Sequence, residues 1–231
     1  MLDPKGRVVM VSGGTRGIGR AVVERLLAAG CIVSAGVRDA QRLPAHPSLF
    51  PVAYDAALPG AGKAWVAATV AAHGRIDALV NGAGINPRGT LLGEDESAFD
   101  AMWAVNSKAP MRVIRAAWPH LVASGQGRVV NIASLSGKRV RNENLAYAMS
   151  KFAVMALTQE VRRLGWDHGI RATTVCPGFV DTDMTAHVQH VPREKMSRPE
   201  DLAALIEVVL HLPNTASVAE LLVNWRHEDT L

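Results

Sequence analysis

Apolar residues fall along this chain in two patterns that take turns. Short runs dense in valine, isoleucine, leucine and alanine recur as GRVVMVS from Gly6, CIVSAGV from Cys31, LFPVAYDA from Leu49, IDALVNGAG from Ile76, GRVVNIASLSG from Gly127, GIRATTVCPGFV from Gly169 and SVAELLVNW from Ser217. The runs are continuous and do not alternate with polar residues, the pattern of strands buried on both faces. Between them lie longer stretches with apolar residues at helical spacing: Arg20 to Gly30, where the glycine stops the helix, Gly60 to His73, Glu96 to Val122, Leu145 to about Asp167, and Arg198 to Leu212 with a cap near Ser197 and Pro199.

Strand and helix in alternation predict an α/β, Rossmann-type doubly wound parallel sheet of about seven strands with helices on both faces. No repeat, linker or low-complexity segment divides the chain, so residues 1–231 are expected to form one dinucleotide-binding and catalytic domain. Two irregularities stand out. The second crossover, Asp39 to Ser48, is too short for a full helix and is broken by Pro44 and Pro47, and Pro110 predicts a break or kink near Asn106. Asp181 to Ser197 shows no strong periodicity and reads as a loop or a short helix.

The first strand runs directly into SGGTRGIG, Ser12 to Gly19, and then into a helix. Strand, glycine loop and helix in that order place backbone N–H groups and a helix N-terminus where a pyrophosphate can sit. The glycines Gly13, Gly17 and Gly19 are spaced GxxxGxG, and their position between strand and helix is what favours a dinucleotide over a plain turn. At the end of the second strand the ribose position falls at Val37, which offers no carboxylate, and Arg38 follows. Arg16 inside the loop is a second cation. Two guanidiniums favour NADP(H) over NAD, because a basic side chain accommodates a 2′-phosphate. Asp39 argues the other way, but one residue further on it is better placed to cap a short helix. Asn81, Gly82 and Gly84 close the fourth strand with a turn that lets backbone pass close to a flat ligand.

Proton chemistry is suggested by LAYAMSKFAVMALT, Leu145 to Thr158. Tyr147 and Lys151 are four residues apart, so on a helix they share a face. A phenol of ordinary pKa ~10 beside a fixed cation should ionise more easily, which suits an acid or base acting on an alcohol or carbonyl. Alone, the pair is equally the accident of an amphipathic helix.

Composition narrows the classes. Hydrophobic content is 48% and the apolar runs are too short to cross a bilayer, so no membrane partner is expected, and with no charged-then-apolar leader the simplest location is cytoplasmic. Cys31 and Cys176 stand far apart without CxxC spacing and read as buried thiols. His187 and His190 lie at i, i+3 with no acidic or cysteine partner beside them, so no metal is expected. The net charge of +4 comes from arginines scattered along the sequence. Such scatter speaks for a solvated surface with one local anion site and against a nucleic-acid partner.

In this order and spacing the motifs resemble the short-chain dehydrogenase/reductase family over nearly the whole chain. The family's TGxxxGxG is represented by SGGTRGIG, its NNAG turn by NGAG at Asn81 to Gly84, its YxxxK by Tyr147 and Lys151, and its PGxxxT by PGFVDT. Ser134, thirteen residues before Tyr147, matches the family serine, ahead of its neighbour Ser136, and Asn106 matches the helix asparagine. The resemblance implies cofactor contacts from Gly13, Thr15, Arg16, Gly17, Ile18, Gly19, Arg38, Asp55, Asn81, Ala83, Gly84, Tyr147, Lys151, Pro177, Gly178, Val180 and Thr182. It implies Tyr147 as proton donor or acceptor, Lys151 as the cation that lowers its pKa and binds ribose, Ser134 as the group that holds the substrate oxygen, and Asn106 as the holder of a water leading to Lys151.

The activity so implied is interconversion of a small-molecule carbonyl and alcohol, of the 3-oxoacyl reductase or general ketone and aldehyde reductase kind, in a homodimer or homotetramer. Ser12 and Gly82 are mild departures that leave the backbone path intact. The ending ELLVNWRHEDTL lacks the family's usual glycine, which puts the C-terminal assembly contact in doubt. Two other readings stand beside this one: a catalytically silent nucleotide-binding regulator or scaffold, disfavoured because all four catalytic positions are filled, and a nucleotide-sugar epimerase or dehydratase, disfavoured by the lack of an added substrate domain.

Overall fold

The βαβ unit expected at the start of the chain forms as β1 (Val8–Ser12), α1 (Gly17–Ala28) and β2 (Ile32–Val37) in a computed structural model that describes residues 1–227. The sheet continues with β3 (Leu49–Ala53), β4 (Ala78–Asn81), β5 (Arg128–Ile132), β6 (Arg171–Pro177) and β7 (Glu220–Val223). Its order is β3-β2-β1-β4-β5-β6-β7, and every neighbouring pair is parallel. The winding reverses between β1 and β4, so a crevice opens beyond their C-terminal ends.

The helices are α2 (Ala61–His73), α3 (Ser97–Met102), α4 (Ala109–Ser124), α5 (Leu145–Gly165) and α6 (Pro199–His211). Alternate residues of each strand serve the two faces. Val9, Val11 and Val80 meet Val22 and Leu26 of α1 and Leu202 and Ile206 of α6, whereas Met10 and Leu79 meet Trp65 of α2, Val113 and Leu121 of α4 and Val161 of α5. This is why the runs of β1, β2, β4, β5 and β6 are continuously apolar, neither face seeing water, whereas the edge strands β3 and β7 are only partly buried.

Departures from the expected boundaries have local causes. The third strand stops at Ala53, two residues before Asp55, because its partner β2 ends at Val37 and the register pairs Val37 with Ala53. The last strand is trimmed to four residues, since at the sheet edge it pairs only with Thr174–Pro177. The second crossover contains one 3₁₀ turn, Ala40–Arg42, capped by Asp39 Oδ1, which accepts from the Gln41 N–H at 3.0 Å. The helical stretch around Asn106 does not simply kink. It winds through a π segment, Trp103–Lys108, before α4 begins with Pro110 in its first turn. Pro110 has no N–H, so the carbonyl of Asn106, four residues earlier, has no α-helical donor.

The stretch after β6 holds two single 3₁₀ turns, Asp183–Thr185 and Arg193–Lys195, pinned by a parallel bridge from Val180 to Ser197 and by buried Val191 and Met196. Of the C-terminal stretch ELLVNWRHEDTL, residues 228–231 lie outside the described residues. Among the described residues no helix is long and apolar enough to cross a membrane.

Candidate active site

The crevice beyond the strand ends is a cleft of about 1470 Å³. Its floor is the glycine loop. Gly13 has φ +75°, and a Cβ there would lie 2.9 Å from the Ala83 nitrogen; a Cβ on Gly19 would lie 2.3 Å from the Gly13 carbonyl oxygen. The loop is therefore folded on itself at a closeness that only glycine permits. Ser12 Oγ accepts the N–H groups of both Gly82 and Ala83 at 3.1 Å, tying the two glycine turns together across the switch point. No side chain caps α1 at Arg16, and its first turn contains no acidic residue. The N-terminal N–H groups and the positive end of the helix thus face the cleft, a donor set that fits a pyrophosphate. Thr15, Arg16, Gly17 and Ile18 line the cleft beside them.

At the β2 end Val37 is buried and Arg38 exposed on the cleft wall, as the sequence suggested. Arg42 joins it there. Sequence reasoning missed Arg42 because its position depends on the 3₁₀ turn, which Arg20 steadies by donating to the Arg42 carbonyl at 2.7 Å. Arg16 reaches Asp183 Oδ2 at 3.4 Å, both side chains being largely exposed, a contact of little energetic weight. Asp55 lines the same end with its Oδ1 accepting from the Ala57 N–H at 2.9 Å.

Asn81 does not belong on this wall. Its side chain turns into the sheet, donating to Asn131 Oδ1 at 2.8 Å, and Asn131 donates to Thr158 Oγ1 at 2.9 Å, so it couples β4, β5 and α5. The remaining turn residues, Ala83 and Gly84, do line the cleft, as do Pro177, Gly178, Val180 and Thr182 opposite.

Ser134, Tyr147 and Lys151 meet on one part of the wall. The Ser134 hydroxyl donates to the Pro177 carbonyl at 3.5 Å and accepts from the Ser136 N–H at 3.1 Å, and Ser134 is the side chain near enough to the Tyr147 phenol to lower its pKa. Lys151 is buried, donates to the Ile132 carbonyl at 2.9 Å and holds its Nζ 5.4 Å from the centre of the Tyr147 ring. The pKa relation expected from the sequence is corrected here. Burial pushes Tyr147 up to about 12, with nearby Ser134 pulling the other way, and Lys151 is not among the groups that move it. Burial also brings Lys151 down to about 8. Loss of water around the phenol outweighs a cation that is itself desolvated and turned toward a carbonyl. The phenol is consequently neutral at neutral pH, the form that can give a proton.

Asn106 likewise departs from expectation. It is buried beside the cleft and not on its wall: Oδ1 accepts from the Ile85 N–H at 2.9 Å, and Nδ2 donates to the Ile85 carbonyl and to Ser150 Oγ, both at 3.0 Å. Its side chain therefore fixes the backbone next to Gly84, where a Cβ would come within 3.4 Å of Asn106 Oδ1 and 3.9 Å of Lys151 Nζ.

A further residue was legible and missed. Asn144 is the N-cap of α5: Oδ1 accepts from the Tyr147 N–H at 3.4 Å and from the Gly89 N–H at 3.0 Å, while Nδ2 donates to Asn86 Oδ1 at 2.7 Å and the Pro87 carbonyl at 2.8 Å. An asparagine directly before a helical run is a cap signal. Here the cap also clamps the loop after β4 to the helix that bears Tyr147.

The glycine-loop cradle thus shares one cleft with a serine, a phenol and a lysine. The short chain dehydrogenase profile matches residues 7–192, and the chain belongs to that family. It is 39% identical to an agropine synthesis reductase of Rhizobium rhizogenes over 217 residues, 91% of this chain and 50% of that protein. The chain thus spans about half the length of that relative. It is 37% identical to the 2-(R)-hydroxypropyl-CoM dehydrogenase of Xanthobacter autotrophicus over 191 residues, 78% of this chain and 76% of that one. Among solved structures it resembles a short chain dehydrogenase from Burkholderia cenocepacia in complex with NADP, with a TM-score of 0.87 and 29% identity, covering 96% of this chain and 98% of the other.

Proposed function

We propose that the protein is an NADP(H)-dependent reductase of ketones or aldehydes, with Tyr147 as the proton donor. The observation that carries this is the meeting of Ser134, a Tyr147 phenol kept neutral by burial, and the buried Lys151 on the wall of the cleft that holds the glycine loop. Bound in that cradle, a nicotinamide dinucleotide supplies the hydride. The glycine loop and the N-terminus of α1 would hold its pyrophosphate, and Arg38, with Arg16 and Arg42 lining the same cleft, would hold a 2′-phosphate, the reason for preferring NADP(H).

Ser134 receives the carbonyl oxygen of the substrate and aligns it with the phenol. Tyr147 gives its proton to that oxygen as negative charge develops there, and Lys151 stabilises the phenolate left behind. The Asn106 carbonyl orients a water through which Tyr147 and Lys151 regain the proton. The name of the agropine synthesis reductase and the NADP found with the Burkholderia structure support the same direction and cofactor.

We also propose that the protein works as a homodimer or homotetramer. Met149 and Phe152 on α5 and Trp103 beside it are 50%, 43% and 46% exposed, an apolar face that a second copy would cover. Light scattering at micromolar concentration should then give at least twice the 24.7 kDa chain mass, and a monomer refutes this part.

The activity is tested with a panel of ketones and aldehydes followed through NADPH absorbance. Tyr147→Phe should lower kcat about 10²-fold or more with dinucleotide binding retained. Retention of most activity removes Tyr147 from its role. Arg38→Asp should weaken NADPH by about tenfold or more and NADH little; equal effects on both remove the cofactor preference.

A further inference from the structure

We propose, resting on the reductase reading above, that the substrate is an uncharged, hydroxylated carbonyl compound, and that Asn86 and Asn142 set this specificity by donating side-chain N–H groups to its hydroxyl oxygens. Both asparagines line the cleft that holds Ser134 and Tyr147. Both are also bonded to Asn144, the N-cap of α5, which in turn bonds the Tyr147 N–H. They therefore belong to the α5 side of the cleft, whereas Arg38 and Arg42 stand at the end of β2.

The bonds of Asn144 decide which way each amide points. Its Oδ1 accepts two backbone N–H groups, from Gly89 at 3.0 Å and from Tyr147 at 3.4 Å, so the atom that reaches Asn86 at 2.7 Å is its donor, Nδ2. The atom met there must accept, which makes it Asn86 Oδ1 and turns Asn86 Nδ2 away. The Asn144 N–H donates to Asn142 Oδ1 at 3.1 Å and orients that amide in the same manner. Among the described residues neither Nδ2 meets a protein acceptor. Both acceptor ends are thus engaged at the helix cap, and both donor ends remain for a ligand.

These donors are held in place by their surroundings. Asn86 precedes Pro87, which restricts its backbone, and Ile85 on its other side has its N–H and its carbonyl bonded to Asn106 at 2.9 and 3.0 Å. A donor fixed in this way binds at a small cost in conformational entropy. The pair is also uncharged. Arg88, two residues beyond Asn86, pairs with Glu143 at 2.7 Å, and Arg139 and Arg141 on the β5–α5 loop are engaged by other groups of the protein. Neutral oxygens match such amides, since a carboxylate held by them would keep its charge uncompensated, and two amides suit a chain with more than one hydroxyl.

The test pairs oxygenated ketones with hydrocarbon isosteres as substrates of the NADPH-loaded protein: 1-hydroxybutan-2-one against pentan-3-one, and 1-methoxypropan-2-one, whose ether oxygen can only accept, against pentan-2-one. The oxygenated member of each pair should have a kcat/KM higher by about tenfold or more, carried mainly by KM. The double variant Asn86→Ala/Asn142→Ala should lower both ratios by about tenfold. Asn86→Asp keeps an oxygen for Asn144 but has no N–H, so it should retain stability in urea and still lower the methoxy ratio about tenfold. Ratios at or below one in the unaltered protein, or ratios that both variants leave in place, overturn the proposal, while turnover of pentan-2-one or pentan-3-one leaves the reductase reading standing. Reduction of none of the four ketones overturns both.

Discussion

The buried ammonium of Lys151 should make the protein less stable at neutral pH than a version without it. Its pKa falls from 10.5 to about 8 because the charged form is desolvated. At ~1.4 kcal/mol per tenfold in proton affinity, holding the charge at pH 7 costs ~3 kcal/mol of folding free energy. Lys151→Met keeps the length of the side chain and removes the charge, but it leaves the Ile132 carbonyl without its 2.9 Å donor, an unmet acceptor worth ~1–3 kcal/mol. The variant should thus be up to ~2 kcal/mol more stable at pH 7. The sign with pH follows from proton binding. Between about 8 and 10.5 the unfolded lysine holds a proton that the folded one has released, so the stability of the unaltered protein rises with pH relative to the variant. Urea unfolding of both proteins at pH 7 and pH 10 measures this. The variant's advantage should shrink by ~2–3 kcal/mol and turn into a deficit. A difference that is the same at both pH values would show that the ammonium bears no burial cost, and the account of the Lys151 environment would fail.

Three other outcomes follow from the same geometry. Carbonyl reduction by the unaltered protein should be level through neutral pH and fall as pH rises past about 8, where Lys151 loses its charge, with the neutral phenol still present up to about 12; a pH profile of kcat that stays flat to pH 10 contradicts this. Gly19→Ala puts a Cβ 2.3 Å from the Gly13 carbonyl oxygen, so the loop must open, and NADPH affinity by fluorescence titration should fall by about tenfold or more; unchanged affinity refutes the closeness of the loop. Asn144→Ala removes the cap of α5 and the clamp on residues 86–89, and should cost ~1–2 kcal/mol in urea unfolding together with a lower kcat; Asn144→Asp, which keeps the capping oxygen, should recover most of the stability, and failure to do so separates the cap from the clamp.

Much of this was legible before folding was considered. The continuous apolar runs announced strands covered on both sides because burial on two faces leaves no polar positions to alternate with, and the five inner strands pack that way while the edge strands β3 and β7 stay partly exposed. Gly13, Gly17 and Gly19 were legible because close backbone contact excludes side chains, and Tyr147 with Lys151 because four residues is one turn of α5. Local signals also sufficed for Asp39 as a cap and for Arg38 after Val37. Asn81 misled for a physical reason: motif position tells where the backbone goes, and the side chain then found a partner on the neighbouring strand in Asn131. Asn106 does sit at the helix irregularity that Pro110 announced, with its amide engaged by Ile85 and Ser150.

The sequence by itself determined the order of strands and helices, the glycine loop and the presence of a phenol, a lysine and a serine at fixed spacing, because each of these depends on neighbours within a turn or a strand. Tertiary structure decided which strands adjoin, and with them everything that depends on distance between remote segments. It set the pKa values of Tyr147 and Lys151, which follow from how much water the folded cleft excludes. It also drew arginines that are scattered along the chain, from Arg16 to Arg226, around one cleft, because the C-terminal ends of the parallel strands open into it.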